Sequence, residues 1–411
     1  MKNMPTLLAP AGSMRPFMTA LRFGADAVYC GAKQYGLRAQ ANNFSEEELG
    51  RAVELAHAAG AQVNLTLNIF AFDGDLPGMV RAAQAAKALG VDAVIVSDLG
   101  AIARIAREVP GLDIHVSTQA NTTNSESARV YQALGAKRIV LAREMTFEQI
   151  EAMARELGDE MELESFIHGA ICMSHSGRCM LSSFLNGRSA NRGACSQPCR
   201  WTYTLHERTR PDEPMPIEED GHGTAILSSR DMCMIDHLPR LMESGVSCFK
   251  IEGRMKTEIY IATVVGAYRR AMDAYAADPA AYQKNDALRM QLRRELDQVS
   301  HRVYDTGFYF GQPQVCGEAV GVVQEAEYMG YVVDVSGGVA LVEMKNRFFV
   351  GDTLETVTPE GSEKLVVEDI VIDATGEHVG VVNIPNTLVR VPCGDKLAAG
   401  DMLRGPVRNR A

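Results

Sequence analysis

Four cysteines, Cys172, Cys179, Cys195 and Cys199, follow the spacing C-x6-C-x15-C-x3-C. Four thiols gathered in one short region suit a soft metal ion or an iron–sulfur cluster. The spacing does not choose between them, although the usual zinc knuckle is built from two short C-x2–4-C pairs and here one pair is six residues apart. The charge around them is one-sided. From Ser165 to His206 there is no Asp or Glu, while Arg178, Arg188, Arg192 and Arg200 are all present. In a chain of formal net charge −11 such a stretch has three readings. Arginines offset the negative charge of a thiolate cluster, they receive phosphates or a carboxylate substrate, or they form a solvated basic face.

A second set of polar residues is dispersed along the chain but falls at equivalent places. A helical stretch ending in Gly, then a small residue or Val, then a β-branched run recurs at 23–31, 59–68, 89–98, 134–144 and 244–254. Gly supplies the left-handed position just past a helix, and the apolar run after it reads as a buried strand. Three more strands are expected at 6–10, 113–121 and 162–169. Eight strands, each apolar along its length and alternating with helices, imply parallel strands covered by helices. Their number and spacing predict a (β/α)8 TIM-like barrel, and no GxGxxG follows the first strand to favour a dinucleotide fold. Barrel enzymes place their chemistry at the C-terminal strand ends. There the sequence puts Asn68, Ser97, Asp98, Ser117, Gln119, Asn121, Arg143, Glu144, His168, Lys250, Glu252 and Arg254.

The cysteines fall in an insertion of roughly 170–230 between strands seven and eight, whose tail at 207–223 is charged and Pro/Gly-rich and reads as an exposed loop. Helices follow strand eight, including 259–277. From about 317 the pattern changes to short alternating strands, with Gly-Asp-x-Leu at 351–354, 394–397 and 400–403. This predicts a small antiparallel β-barrel over 317–411, after a barrel domain with its insertion and trailing helices over 1–316. The chain has 411 residues, 46% hydrophobic and 23% charged, which excludes wholesale disorder. Its acidity argues against a protein that coats nucleic acid without specificity. Nine cysteines, an odd number, with no signal-peptide pattern at the start, argue against a disulfide framework. The scattered Cys30, Cys248, Cys316 and Cys393 read as small buried hydrophobes. No apolar run approaches the roughly 18 residues that a bilayer span requires. A cytoplasmic location is expected.

The run Glu164-Ser165-Phe166-Ile167-His168-Gly169-Ala170-Ile171-Cys172-Met173, continuing Ser176-Gly177-Arg178-Cys179-Met180-Leu181-Ser182, resembles the signature of the peptidase U32 family. Asn191-Arg192-Gly193-Ala194-Cys195, Cys199-Arg200-Trp201, Ser229-Arg230-Asp231-Met232-Cys233, Phe249-Lys250-Ile251-Glu252-Gly253-Arg254, Leu8-Ala9-Pro10-Ala11-Gly12 and Ala25-Asp26-Ala27-Val28-Tyr29 resemble further family motifs. The resemblance covers the whole barrel. It implies a relative of the prephenate-dependent tRNA uridine hydroxylases, which make 5-hydroxyuridine at the wobble position without oxygen. Other members hydroxylate ribosomal RNA or act in oxygen-independent ubiquinone synthesis, and older usage calls the family collagenase-like proteases. By this resemblance Cys172, Cys179, Cys195 and Cys199 are ligands of a [4Fe–4S] cluster. Cys233 also sits in a family motif and is a candidate to replace one of them.

The first functional expectation is therefore hydroxylation of RNA. Uridine C5 needs a redox cofactor or an activated oxygen donor. Prephenate, which the resemblance makes the hydroxyl donor, carries two carboxylates, so Arg143, Lys250 and Arg254 are candidates to bind it, with Glu144 and Glu252 orienting them. His168 is the candidate for proton transfer, against a reading as a strand-end histidine satisfied by backbone. Arg188, Arg192 and Arg200 are the candidate phosphate contacts for tRNA. The C-terminal strands are a second candidate RNA contact, with their acidity against it. A paralogous protein partner is also compatible with the sequence. The second expectation, peptide hydrolysis, finds no HExxH or GxSxG. A Cys172 pair with His168 or His175 would leave three cysteines without a role. The third is an accessory protein in which the cluster is only structural.

Overall fold

The computed structural model describes residues 4–38, 42–201, 205–207, 210–215, 229–313 and 323–408. Cys316, the start of the strand pattern expected from about 317 and the loop tail from 216 to 223 lie outside these residues. Among the described residues no helix is long and apolar enough to cross a membrane.

The eight expected strands are all present: β1 Thr6–Pro10, β2 Ala27–Gly31, β3 Gln62–Leu67, β4 Ala93–Val96, β5 Asp113–Val116, β6 Arg138–Val140, β7 Glu162–Ala170 and β8 Cys248–Ile251. Each pairs in parallel with the next, from β1 through to β7. β8 then pairs in parallel with both β7 and β1, which closes the barrel. The turns that start the strands are built as the repeated glycines require. Gly24 and Gly135, for example, hold φ at +91° and +98° between helix and strand, a conformation that costs residues with a Cβ appreciably.

Helices Glu46–Ala58, Leu76–Ala88, Leu99–Glu108, Ser125–Ala133 and Phe147–Leu157 alternate with the strands. Side-chain caps fix several of their starts. Ser45 and Thr146 form reciprocal capping boxes with Glu48 and Gln149, satisfying amides that would otherwise be orphaned.

One expectation fails inside the barrel. The strands are not apolar along their whole length, because His115, Arg138, Glu164 and Lys250 are buried on β5 to β8, together with Asn64 on β3. The Lys250 ammonium lies 2.6 Å from Glu164 Oε1, and Arg138 reaches Glu164 Oε2 at 3.4 Å and Glu162 at 2.7 Å. Charges buried in pairs escape the full cost of desolvation that each would incur alone.

The insertion leaves the barrel at the end of β7 and returns through the short strand Asp231–Cys233, which runs antiparallel to that same end. Arg302 fixes the return point with a buried pair to Asp231 at 2.6 Å. Overlapping the stretch 207–223 read as an exposed loop, Leu205–Glu207 and Arg210–Met215 pair as an antiparallel hairpin.

The chain divides into two compact units. The first is residues 1–21, 25–256 and 301–322, and the second is 22–24, 257–300 and 323–411. The helices after β8 thus group with the C-terminal strands in this division. The second unit holds a seven-stranded antiparallel sheet ordered Lys364–Val366, Thr353–Val357, Met402–Pro406, Ala326–Ser336, Val339–Met344, Leu388–Pro392 and Val371–Ile372. Its core, which includes Met329, Val342, Phe348, Leu354, Val391 and Leu403, draws only on residues 329 to 403. Because that core is complete without the helices, a fragment covering 323–411 is expected to unfold cooperatively on heating, with near-UV circular dichroism bands. A fragment lacking both would show that the sheet depends on residues 257–300.

Candidate active site

The C-terminal strand ends and the insertion enclose one cavity of about 410 Å³. Tyr29, Ile95, Phe166 and Lys250 contribute from the strands, and Asn68, Ser117, Gln119 and Arg143 from the residues that follow them. The insertion supplies Cys172, Cys179, Cys195 and Cys199, so all four cysteines of the sequence pattern open onto the same space. All four are free thiols. Burial and the nearby Cys172 push the Cys199 thiol up, with Cys195 and Cys179 adding to the effect and Arg200 opposing it. Two sulfurs accept main-chain hydrogen bonds two residues on, Cys179 from Leu181 and Cys195 from Gln197, each at 3.4 Å. Such N–H···S contacts stabilise a thiolate and tune a cluster it binds. Among the described residues no three His, Cys, Asp or Glu side chains are grouped closely enough to hold a single metal ion.

The insertion has little regular structure, and its position depends on side chains that tie it to the barrel loops. The Glu144 carboxylate accepts from the Ser176 amide at 2.5 Å and from its hydroxyl at 2.6 Å. Arg178 donates to the Gln119 carbonyl at 2.6 Å. Arg192 pairs with Asp75 at 2.8 Å and donates to the Phe70 carbonyl at 2.9 Å. Asn191 clamps Cys179 from both sides, its amide donating to the Cys179 carbonyl and its Oδ1 accepting from the Cys179 N–H. Ser176 and Gln197 sit at φ +46° and +57°, a conformation uncommon for residues other than glycine. These two turns lie beside Cys179, Cys195 and Cys199.

The candidate residues therefore divide. Arg143 lines the cavity with its Cζ 3.8 Å from the centre of the Phe166 ring, and spends one donor on the Ala170 carbonyl at 2.7 Å. Lys250 lines it while paired with Glu164, 4.5 Å from the centre of the Tyr29 ring. Arg200 lines it, is exposed, and its guanidinium makes no hydrogen bond or ion pair among the described residues. Arg254 also borders the cavity but is buried, donating to Thr66 Oγ1 at 2.8 Å and to the carbonyls of Leu37 and Arg38. Glu252 faces Arg38 at 3.3 Å. Glu144 and Arg192 hold the insertion, and Arg188 donates to the Ala194 carbonyl at 3.1 Å.

His168 is buried on β7 and does not line the cavity. Its Nε2 lies 3.4 Å from the Tyr304 hydroxyl. Cys233, also buried, lies outside the cavity wall on the strand paired to His168. Gly169 lets the end of β7 approach the residues that follow β8, since a Cβ there would lie 2.5 Å from the Glu252 carbonyl oxygen.

Arg38 is the cavity residue that the sequence reading did not reach. Glu252 first, and then Cys172 and Cys195, raise its affinity for the proton, against the effect of burial. It sits in an irregular stretch after β2 at φ +82°, where no periodicity points to it. The polar barrel core had a visible signal, charged residues within the strand runs at 138, 164 and 250.

Residues 12–318 match the family described as Peptidase family U32, and residues 324–404 match the Peptidase family U32 C-terminal domain. The chain is 34% identical over 406 residues to the tRNA hydroxylation protein P1 of Bacillus subtilis, covering 97% of this chain and 94% of that protein. It is 34% identical over 421 residues to the tRNA hydroxylation protein P of Escherichia coli, covering 92% and 91%. A protein of Porphyromonas gingivalis named collagenase is 35% identical over 316 residues, covering 74% and 73%.

Proposed function

The chain belongs to peptidase family U32, and from that premise we propose that it is an RNA hydroxylase, acting on the wobble uridine of tRNA at C5. The observation that carries this reading is the convergence of four free thiols and the polar strand ends on one cavity, in a chain similar over nearly its whole length to proteins named for tRNA hydroxylation. Cys172, Cys179, Cys195 and Cys199 would hold a [4Fe–4S] cluster. Four thiols on one wall, two of them bonded by backbone amides, fit such a group. When bound it would supply one-electron chemistry beside the substrate.

The chain's own residues then have distinct tasks. Arg143 and Lys250 keep donors at the cavity and are the groups for the prephenate carboxylates, with Arg200 available near the thiols. Phe166 and Glu164 fix them, the first by stacking under Arg143 and the second by pairing with Lys250. Arg254 acts by holding the Leu37 and Arg38 carbonyls, and so sets where Arg38 and Glu252 stand. A base must leave its stack to reach such a cavity, and the enclosing insertion would keep water from the reacting carbon.

Peptide hydrolysis, suggested by the name of the P. gingivalis relative, calls for a thiol beside a general base. His168 faces Tyr304, and His175 Nδ1 lies 3.7 Å from Glu144. The deciding experiment treats anaerobically prepared protein with prephenate and tRNA from a strain lacking the gene, followed by mass spectrometry of the nucleosides. 5-Hydroxyuridine that depends on both prephenate and protein is the expected result. No new nucleoside from iron-loaded protein that cleaves denatured collagen would replace this reading with the peptidase one.

A further inference from the structure

The second unit contains a concavity of about 360 Å³ that the proposed reaction does not use. It is lined by Lys345, Asn346 and Arg347, which follow the strand Val339–Met344, and by Glu327, Asn383 and Arg408 among others. The charge pattern is out of character for its surroundings. Residues 323–408 carry fourteen carboxylates against seven lysines and arginines, yet three of those seven cations line this one hollow.

The three cations are not equivalent. Lys345 donates to the Glu343 carboxylate and to Asn386 Oδ1, and Arg408 pairs with Asp352 at 2.5 Å. Glu327 accepts from the Asn346 amide at 2.7 Å. Arg347 is exposed, and its guanidinium has no carboxylate or hydrogen-bond partner among the described residues. Both arginines flank one ring, with Cζ of Arg408 4.7 Å and Cζ of Arg347 5.7 Å from the centre of Phe349. An aromatic platform restrains long side chains in advance and lowers the entropy lost when they bind. A guanidinium fork matches the oxygens of a phosphate, and Asn383 also lines the hollow. The acidic remainder of the unit repels a polyanion, so a phosphate is admitted at one place instead of along a surface.

We propose that this hollow seats a backbone phosphate of the RNA substrate on Arg347, with Arg408 alongside, so that the C-terminal unit is an RNA-anchoring module. The proposal rests on the RNA reading given above for the barrel. It is tested on the full-length protein by fluorescence anisotropy with unmodified tRNA across a salt series, comparing the wild type with Arg347→Ala, Arg347→Glu and Arg390→Ala. Arg390 is an exposed arginine of the same unit outside the hollow, paired with Asp373. Arg347→Ala should weaken binding about five- to tenfold and lower the salt slope by about one. Arg347→Glu should weaken it further, and Arg390→Ala should match the wild type. All variants should keep the wild-type melting temperature. Wild-type affinity and slope in both Arg347 variants would overturn this site and leave the RNA reading intact. A wild-type protein that binds no tRNA would overturn both.

Discussion

Serine at any one of Cys172, Cys179, Cys195 or Cys199 is expected to strip iron and acid-labile sulfide from anaerobically prepared protein and to abolish hydroxylation. The expectation follows from the cavity wall: all four thiols open onto one space, so the loss of one leaves three thiols where a four-thiolate cluster needs four. Hydroxyl oxygen is a harder and less acidic donor than thiolate and replaces it poorly on iron. Cys233→Ser and Cys393→Ala serve as controls. Cys233 is buried beside His168 outside the cavity wall, and Cys393 belongs to the core of the C-terminal sheet. Both should retain full iron. Iron-free protein carrying stoichiometric zinc and no sulfide would refute the assignment, and loss of iron in Cys233→Ser alone would move one ligand to that position.

The second large effect is on stability, and it comes from the barrel core. Burial, reinforced by Arg138, lowers the His115 imidazole to about 3, so it is neutral in the folded protein. Burial alone would raise the Glu164 carboxyl, but Lys250 and Arg138 outweigh it and hold the group at about 2. Both shifts favour the folded state at neutral pH, because in each case the unfolded chain takes up the proton first. The His115 contribution is lost as pH falls below about 6.5, and the Glu164 contribution as it falls below about 4.5. Together they remove about 4 kcal/mol by pH 4. Urea unfolding at pH 7, 6 and 5 should therefore show stability declining by up to about 1.4 kcal/mol per pH unit below 6.5. The variant His115→Gln should remove that decline above pH 4.5. A wild-type midpoint that stays flat from pH 7 to 5 would show that the imidazole is not held neutral in the fold.

The barrel was legible because its signals are local. A glycine after a helix and a β-branched run after the glycine are consecutive in sequence, and the five strands so marked are present together with the three expected from their apolar runs. The four cysteines were legible as a spacing, and they line one cavity. What remained hidden depends on which face of a strand a residue takes and on partners far away. Lys250 stands at a strand end as a substrate contact would, but its pairing with Glu164 spans 86 positions. Arg254 looks identical in sequence, yet its donors go to Thr66, Leu37 and Arg38. No charge pattern separates an arginine that meets ligand from one that holds a loop. Arg38 was hidden for a different reason, since it lies in an irregular turn with no repeat around it. The hairpin within 205–215 was masked by prolines and charges that read as loop.

The closure of the barrel by β8 bears on how the protein must be made. β1 ends at Pro10, and its partner on that side, β8, ends at Ile251. At ordinary translation rates roughly 10 to 50 s separate the emergence of the two strands from the ribosome. Throughout that interval β1 presents an open hydrogen-bonding edge of the kind that recruits foreign strands. Contacts this distant in sequence also slow folding once the chain is complete. The four cysteines, by contrast, emerge well before β8, while the barrel is still an open sheet. The nascent chain therefore has its thiols exposed and its seam unsealed at once, so an open edge and free thiols coincide during synthesis and not in the finished fold.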